Sequence, residues 1–208
     1  MRKILLSMLF AIMGSWVFAQ TQLTETQSQE VIKQLTQKAS SMQTMQCHFV
    51  QEKTMAMLAE PTVAEGTMHY ASPDKMRWEY NTPYAFALIV NGERIIKVTD
   101  GKAMELDANS NRMYQGMMSL IIGSASGKKL FDTSAFDVVL FDDNAFWKAE
   151  MTPKRRDMKR MFSQLVFRFD KKTNSISRVE FIGTGGDVTS IRFEEIILDE
   201  AIRDEKFQ

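Results

Sequence analysis

The chain has 208 residues and balanced charge, with 26 Lys and Arg against 26 Asp and Glu. That balance argues against nucleic acid as the main partner, because neutralising phosphates needs a basic surface. Two histidines, His48 and His69, and one cysteine, Cys47, offer neither a disulfide framework nor a good metal site, so hydrophobic packing must hold the fold.

The N-terminus has the three parts of a secretory leader. Arg2 and Lys3 precede an apolar run from Ile4 to Phe18, and Val17-Phe18-Ala19 supplies the small or modest side chains that a signal peptidase reads. The apolar run is about 15 residues, short of the roughly 20 that cross a bilayer as a helix. Cleavage is expected after Ala19, leaving residues 20–208 as a single domain with 24 cations and 26 anions. Cys47 lies too far from the leader to be the lipid-modified first residue of a lipoprotein. The exported chain is therefore expected to be unanchored, and monomeric.

Residues 24–43 predict one helix. Thr24 and Gln27 form a capping box, and Val31, Ile32, Leu35, Ala39 and Met42 make an apolar stripe. From Met45 the period becomes two. Cys47, Phe49 and Gln51 share one face of a strand, while His48, Val50 and Glu52 share the other. Cys47 and His48 thus point apart, which rules against a thiol–imidazole dyad. A strand over residues 66–71 pairs Met68 with Tyr70. Another over 75–80 sets Met76, Trp78 and Tyr80 against Arg77 and Glu79, after a Pro73-Asp74 turn.

Strands 84–90, 93–99 and 102–106 follow, each after a turn signal: Asn81-Thr82-Pro83, Asn91-Gly92 and Asp100-Gly101. Residues 116–123 break the alternation and read as a short, very apolar helix. Strands resume at 136–141, 146–151, 162–170, 175–182 and 188–197, and the charged tail from Asp199 reads as a single helical turn. This is an antiparallel meander, without the strand–helix alternation of a parallel sheet.

No cluster of nucleophile and base emerges, so the chain reads as a non-enzyme with no cofactor and no metal. Gly183-Thr184-Gly185-Gly186 has the composition of a phosphate loop but lies between strands, where a hairpin turn is the better reading. The run from Lys154 to Arg160 holds five cations and one anion. The plain reading is a solvated tip; the functional one is docking to anionic headgroups or an acidic partner.

Thirteen of the 16 methionines lie beyond the leader, and methionine suits surfaces that accept irregular apolar ligands. Large side chains gather on one face: Phe49, Met68, Tyr70, Met76, Trp78 and Tyr80, extended by Phe86 and Leu88. The helix carrying Met117, Leu120 and Ile121 can cover that face. A sheet curved round such an interior is filled by its own side chains or by a ligand, and periodicity leaves both open.

Phe49-x-Gln51, then Gly66-Thr67-Met68-His69-Tyr70, then Pro73-Asp74-Lys75-Met76-Arg77-Trp78-Glu79-Tyr80-x-x-Pro83, then Asn91-Gly92, resembles the periplasmic outer-membrane lipoprotein carrier family, LolA. The resemblance is good over residues 45–101 and looser to about residue 197. It implies a mainly β (α+β) fold: a half-open antiparallel β-barrel of about 10–11 strands. An N-terminal helix and the short central helix would cover the concave face. Lipoprotein acyl chains would lie in the cavity lined by the residues named above. Cargo would come from an inner-membrane lipoprotein-releasing transporter and pass to an outer-membrane acceptor, through the periplasm. A sensor or regulator on the same fold, or a carrier of another lipid, is the alternative. Ser72 stands where the family often has an arginine that latches the lid, and the family's extended C-terminal segment is not evident.

Overall fold

The computed structural model describes residues 20–58, 60–106 and 131–208. The leader and the apolar helix at 116–123, with Met117, Leu120 and Ile121, lie outside the described residues. The elements in chain order are β1 (Thr21–Gln22), α1 (Glu25–Ser41), β2 (Thr44–Thr54), β3 (Thr62–Ala71), β4 (Lys75–Thr82), β5 (Phe86–Asn91), β6 (Arg94–Thr99) and β7 (Lys102–Glu105). After the undescribed segment come β8 (Phe136–Asp143), β9 (Phe146–Pro153), α2 (Arg156–Met161), β10 (Phe162–Asp170), β11 (Ile176–Gly183) and β12 (Val188–Leu198). A 3-10 turn, Asp204–Phe207, ends the chain.

All twelve strands join one antiparallel sheet in the order β1-β8-β9-β10-β11-β12-β2-β3-β4-β5-β6-β7. The sheet is open, with β1 and β7 at its edges. The described residues hold twelve strands against the expected ten or eleven. The additional strand, β1, has two residues paired with Phe141 and Asp142, too short to show any period of its own. The basic run is exposed and joins two strands as expected, and within it Arg156–Met161 closes a helical turn between β9 and β10.

The local chemistry explains the elements. At the start of α1 the Gln27 N–H donates to Thr24 Oγ1 and the Thr24 N–H donates to Gln27 Oε1, so the capping box forms as the sequence predicts. Asp100, Gly101, Gly92, Asn144, Asn174 and Gly186 have positive φ at the turns, where glycine and asparagine meet least strain. Val31 and Leu35 bury the α1 stripe against the sheet, in one cluster with residues from β2 to β5 and β8 to β12.

The two faces of the sheet differ sharply. The inner face supplies the main cluster, including Phe49, Trp78, Met151, Phe167 and Val179. The outer face carries ion pairs: Arg77 with Glu79, Arg168 with Glu180, Arg178 with Glu180, and Arg192 with Glu194. An antiparallel sheet solvated on one side needs this alternation. Apolar side chains are also buried on the outside. Phe207 from the C-terminal turn is buried against Ile89 and Ile96 in a second, small cluster.

Candidate functional site

The sheet order brings the predicted residues together from four adjacent strands. Phe49 of β2 pairs with Gly66 of β3, which pairs with Tyr80 of β4, which pairs with Phe86 of β5. One step along, Met68 pairs with Trp78 and Trp78 with Leu88; a further step pairs Tyr70 with Met76.

Gly66 makes the aromatic arrangement possible. A Cβ there would lie 1.9 Å from the Glu79 carbonyl oxygen and 2.6 Å from Phe49 Cζ. The missing side chain lets the Phe49 ring lie across β3 and stack on Trp78, with centroids 4.1 Å apart and planes 29° apart. Tyr80 meets Phe49 edge-on at 5.2 Å and stacks on Phe86 at 4.6 Å. The result is a continuous aromatic layer from β2 to β5, each contact adding about 0.5–1.5 kcal/mol beyond area burial.

Burial grades along this layer. Phe49, Tyr70, Met76 and Trp78 are 0% exposed, and Met68 and Leu88 are also buried. Tyr80 and Phe86, near the ends of their strands, are only half-buried. The Tyr80 hydroxyl donates to Gln51 Oε1 at 2.9 Å, and Lys97 Nζ stands 5.7 Å from the Phe86 ring centroid. The interior is thus apolar at its centre and polar at this margin.

The strand meander alone does not point to the other half of the face. Phe193 of β12 packs edge-on against Trp78 at 6.1 Å, and Phe167, Phe169 and Phe181 continue the interior across β10 and β11. Their own alternation is visible in the sequence. What is invisible is that β12 lies beside β2, with Phe193 opposite Phe49. Methionines also line this shared interior: Met42, Met45, Met68, Met76 and Met151 all belong to it.

The titratable groups are kept away from this interior or neutralised within it. Cys47 faces inward opposite Met68, and burial pushes its thiol up to about 12, against a smaller lowering by a backbone hydrogen bond from Met68. His48 faces outward between Glu65 at 4.0 Å and Glu194 at 3.7 Å, so the two neighbours do point apart. His69, also outward, is held below the usual histidine range by burial and then by the Lys206 charge. Among the described residues no group of three or more His, Cys, Asp or Glu could hold a metal ion.

A cleft of about 530 Å³ involves Arg168, Arg178 and Arg192, which lie directly opposite one another on β10, β11 and β12. Like charges in register repel, and here carboxylates offset them. Arg168 faces Asp143 and Glu180, Arg178 faces Glu180, and Arg192 faces Glu194 at 2.6 Å. The row is a matched ladder that keeps the outer face polar.

Over residues 40–208 the sequence matches the model of a known family, described as outer membrane lipoprotein carrier protein LolA. The chain belongs to the LolA family. An outer-membrane lipoprotein carrier protein from Methylobacillus flagellatus is 28% identical over 165 residues, covering 79% of this chain and 77% of that one. Among solved structures, an uncharacterized conserved protein from Thermus thermophilus superposes with a TM-score of 0.54 at 9% identity, over 88% of this chain and 93% of that one. The Pseudomonas aeruginosa MucA/MucB complex gives 0.50 at 10% identity, over 88% of this chain and 60% of that one. These two likenesses establish the shared fold. The family is described by lipoprotein carriage, a task of binding and release.

Proposed function

We propose that this LolA-family chain is a periplasmic carrier that holds lipoprotein acyl chains against the inner face of its sheet and ferries them from the inner to the outer membrane. The observation that carries the reading is the one-sided interior, in which aromatic and methionine side chains from β2 to β5 form an apolar layer grading to half-buried Tyr80 and Phe86. Exposing an acyl chain to water costs about 0.8 kcal/mol per CH₂, so a sixteen-carbon chain needs shielding worth roughly 12 kcal/mol. The side chains of the described interior are packed against one another and buried from solvent. Acyl chains therefore enter by displacing them, and flexible methionines such as Met68 and Met76 lower the cost of repacking. Release is favoured by the same looseness. Transporter and acceptor proteins at the two membranes complete the cycle.

Displacement of a fluorescent fatty acid by a triacylated peptide tests this reading. Charged replacements at Trp78 would be buried and would unfold the protein, so the informative variants are Tyr80→Ser and Phe86→Glu at the half-buried margin. Both are expected to weaken binding while leaving the circular dichroism unchanged. Wild-type protein that binds neither probe, or variants that bind as tightly as wild type, would sink the assignment. In cells, depletion of a carrier strands many lipoproteins in the inner membrane, whereas loss of a regulator changes expression without mislocalising them.

A further inference from the structure

The sheet has two ends, and among the described residues four of the six exposed large apolar side chains gather at one, beside a short basic run. The β2–β3, β4–β5 and β11–β12 turns and α2 all lie at this end, as the strand registers require. The turns are tied to one another. Thr184 of the β11–β12 turn donates through N–H to the Met161 carbonyl and through Oγ1 to the Arg160 carbonyl, both at 3.3 Å. The Ala56 N–H of the β2–β3 turn donates to Asp187 Oδ1 at 3.3 Å. α2 and the Met57–Leu58 tip therefore belong to one rim.

Two features of this rim are unusual. Loop tips are ordinarily polar, yet Met57 is 96% exposed, Leu58 47% and Tyr84 79%. Of the six large hydrophobic side chains exposed among the described residues, these three and Val63 are here; Met104 lies on edge strand β7 and Ile197 near the far end of β12. The second feature is charge. Lys154 pairs with Asp137 and Arg155 with Asp157, but Arg156, Lys159 and Arg160 are exposed and pair with no carboxylate among the described residues. Lys53 and Lys102 offset the exposed carboxylates Glu60 and Asp100 in number, while the half-buried Asp132 and Asp187 at the same end accept hydrogen bonds from Ser134 and Ala56.

We propose that this rim docks on a membrane surface, with Arg156, Lys159 and Arg160 against anionic phospholipid headgroups and Met57, Leu58 and Tyr84 inserted among them. Cations beside short apolar prongs suit an interface that is charged outside and apolar a few ångströms deeper. A peptide partner would ask for a groove, whereas these apolar side chains stand on separate hairpin tips. The half-buried interior residues Tyr80, Phe86 and Phe162 lie at the same end of their strands, so docking there brings a half-buried part of the interior to the bilayer. The proposal adds a surface to the carrier reading and is tested apart from it.

The test is flotation of the purified protein with vesicles of phosphatidylglycerol and phosphatidylethanolamine, against vesicles of phosphatidylcholine alone. Wild type is expected to float with the anionic vesicles only, and less so as salt screens the headgroups. Each cation removed should weaken binding about fivefold, so R156S/K159S/R160S should bind roughly a hundredfold more weakly. M57S/L58S should keep the low-salt binding and lose the part that survives raised salt. Wild type that ignores anionic vesicles, or a triple variant that floats like wild type, overturns the proposal. Both variants should retain fluorescent fatty-acid binding. If wild type floats but binds no fatty acid, the carrier reading fails and the docking rim stands; the converse removes only the rim.

Discussion

Replacing Gly66 by alanine tests the aromatic layer at its tightest point. The new methyl would sit 1.9 Å from the Glu79 carbonyl oxygen and 2.6 Å from Phe49 Cζ, well inside contact distance. The ring could swing away, but only by leaving its 4.1 Å stack on Trp78. The carbonyl belongs to the β3–β4 ladder, where Thr67 opposes Glu79, so β3 and β4 must part by more than an ångström. Overpacking of this kind costs about 1–3 kcal/mol, and losing the aromatic stack adds about 0.5–1.5 kcal/mol. The glycine has no positive φ here, so alanine recovers only a few tenths to about 1 kcal/mol through the unfolded chain. The net expectation is about 2–3 kcal/mol, or a fall in Tm of about 4–12 °C for a chain of this size. Urea unfolding followed by Trp fluorescence measures it. Gly185→Ala, where nothing lies within 4 Å, is the control and should stay within about 0.5 kcal/mol of wild type. A Gly66→Ala protein as stable as that control would refute the close-packing argument.

Two further outcomes follow from groups that local sequence does not expose. Cys47 keeps its proton in the folded state up to about 12, whereas the unfolded thiol releases it near 9.0, so folding loses stability as pH rises above the lower value. Between about pH 8 and about pH 10.5, wild type should lose about 2 kcal/mol more than Cys47→Ala, as read from urea midpoints; equal slopes would place the thiol in contact with solvent. Phe207→Ala should cost about 3 kcal/mol, because the ring is 1% exposed between Ile89 and Ile96. A loss below about 1 kcal/mol would show that the C-terminal turn is not docked in solution.

Much of the fold follows from short-range chemistry. The Thr24–Gln27 box starts α1 because two side chains three residues apart satisfy two backbone donors. Met76, Trp78 and Tyr80 face inward, and Arg77 and Glu79 outward, because strand geometry alternates them whatever the strand pairs with. The turns at Gly92, Gly101 and Asn144 fall where residues tolerating positive φ stand. The same alternation groups Met68 with Tyr70, Met76 with Trp78 and Tyr80, and Phe86 with Leu88 within each strand, and the registers between strands then bring these sets and Phe49 to one face.

Other features depend on which distant strands meet. Phe193 reaches Trp78 only because β12 pairs with β2, an association set by burial summed over a whole face and unmarked at any one residue. β1 is recognisable only by its partner β8, since two residues carry no period. The charged tail conceals a buried phenylalanine because its docking site, Ile89 and Ile96, is assembled from β5 and β6 on the outer face. The basic run is plain in sequence, but its place beside the exposed Met57 and Leu58 requires three turns to converge. Local stereochemistry thus determines the strands, their faces and their turns. Tertiary structure alone decides which faces meet, because that choice is made by long-range burial and by hydrogen bonds between segments far apart in the chain.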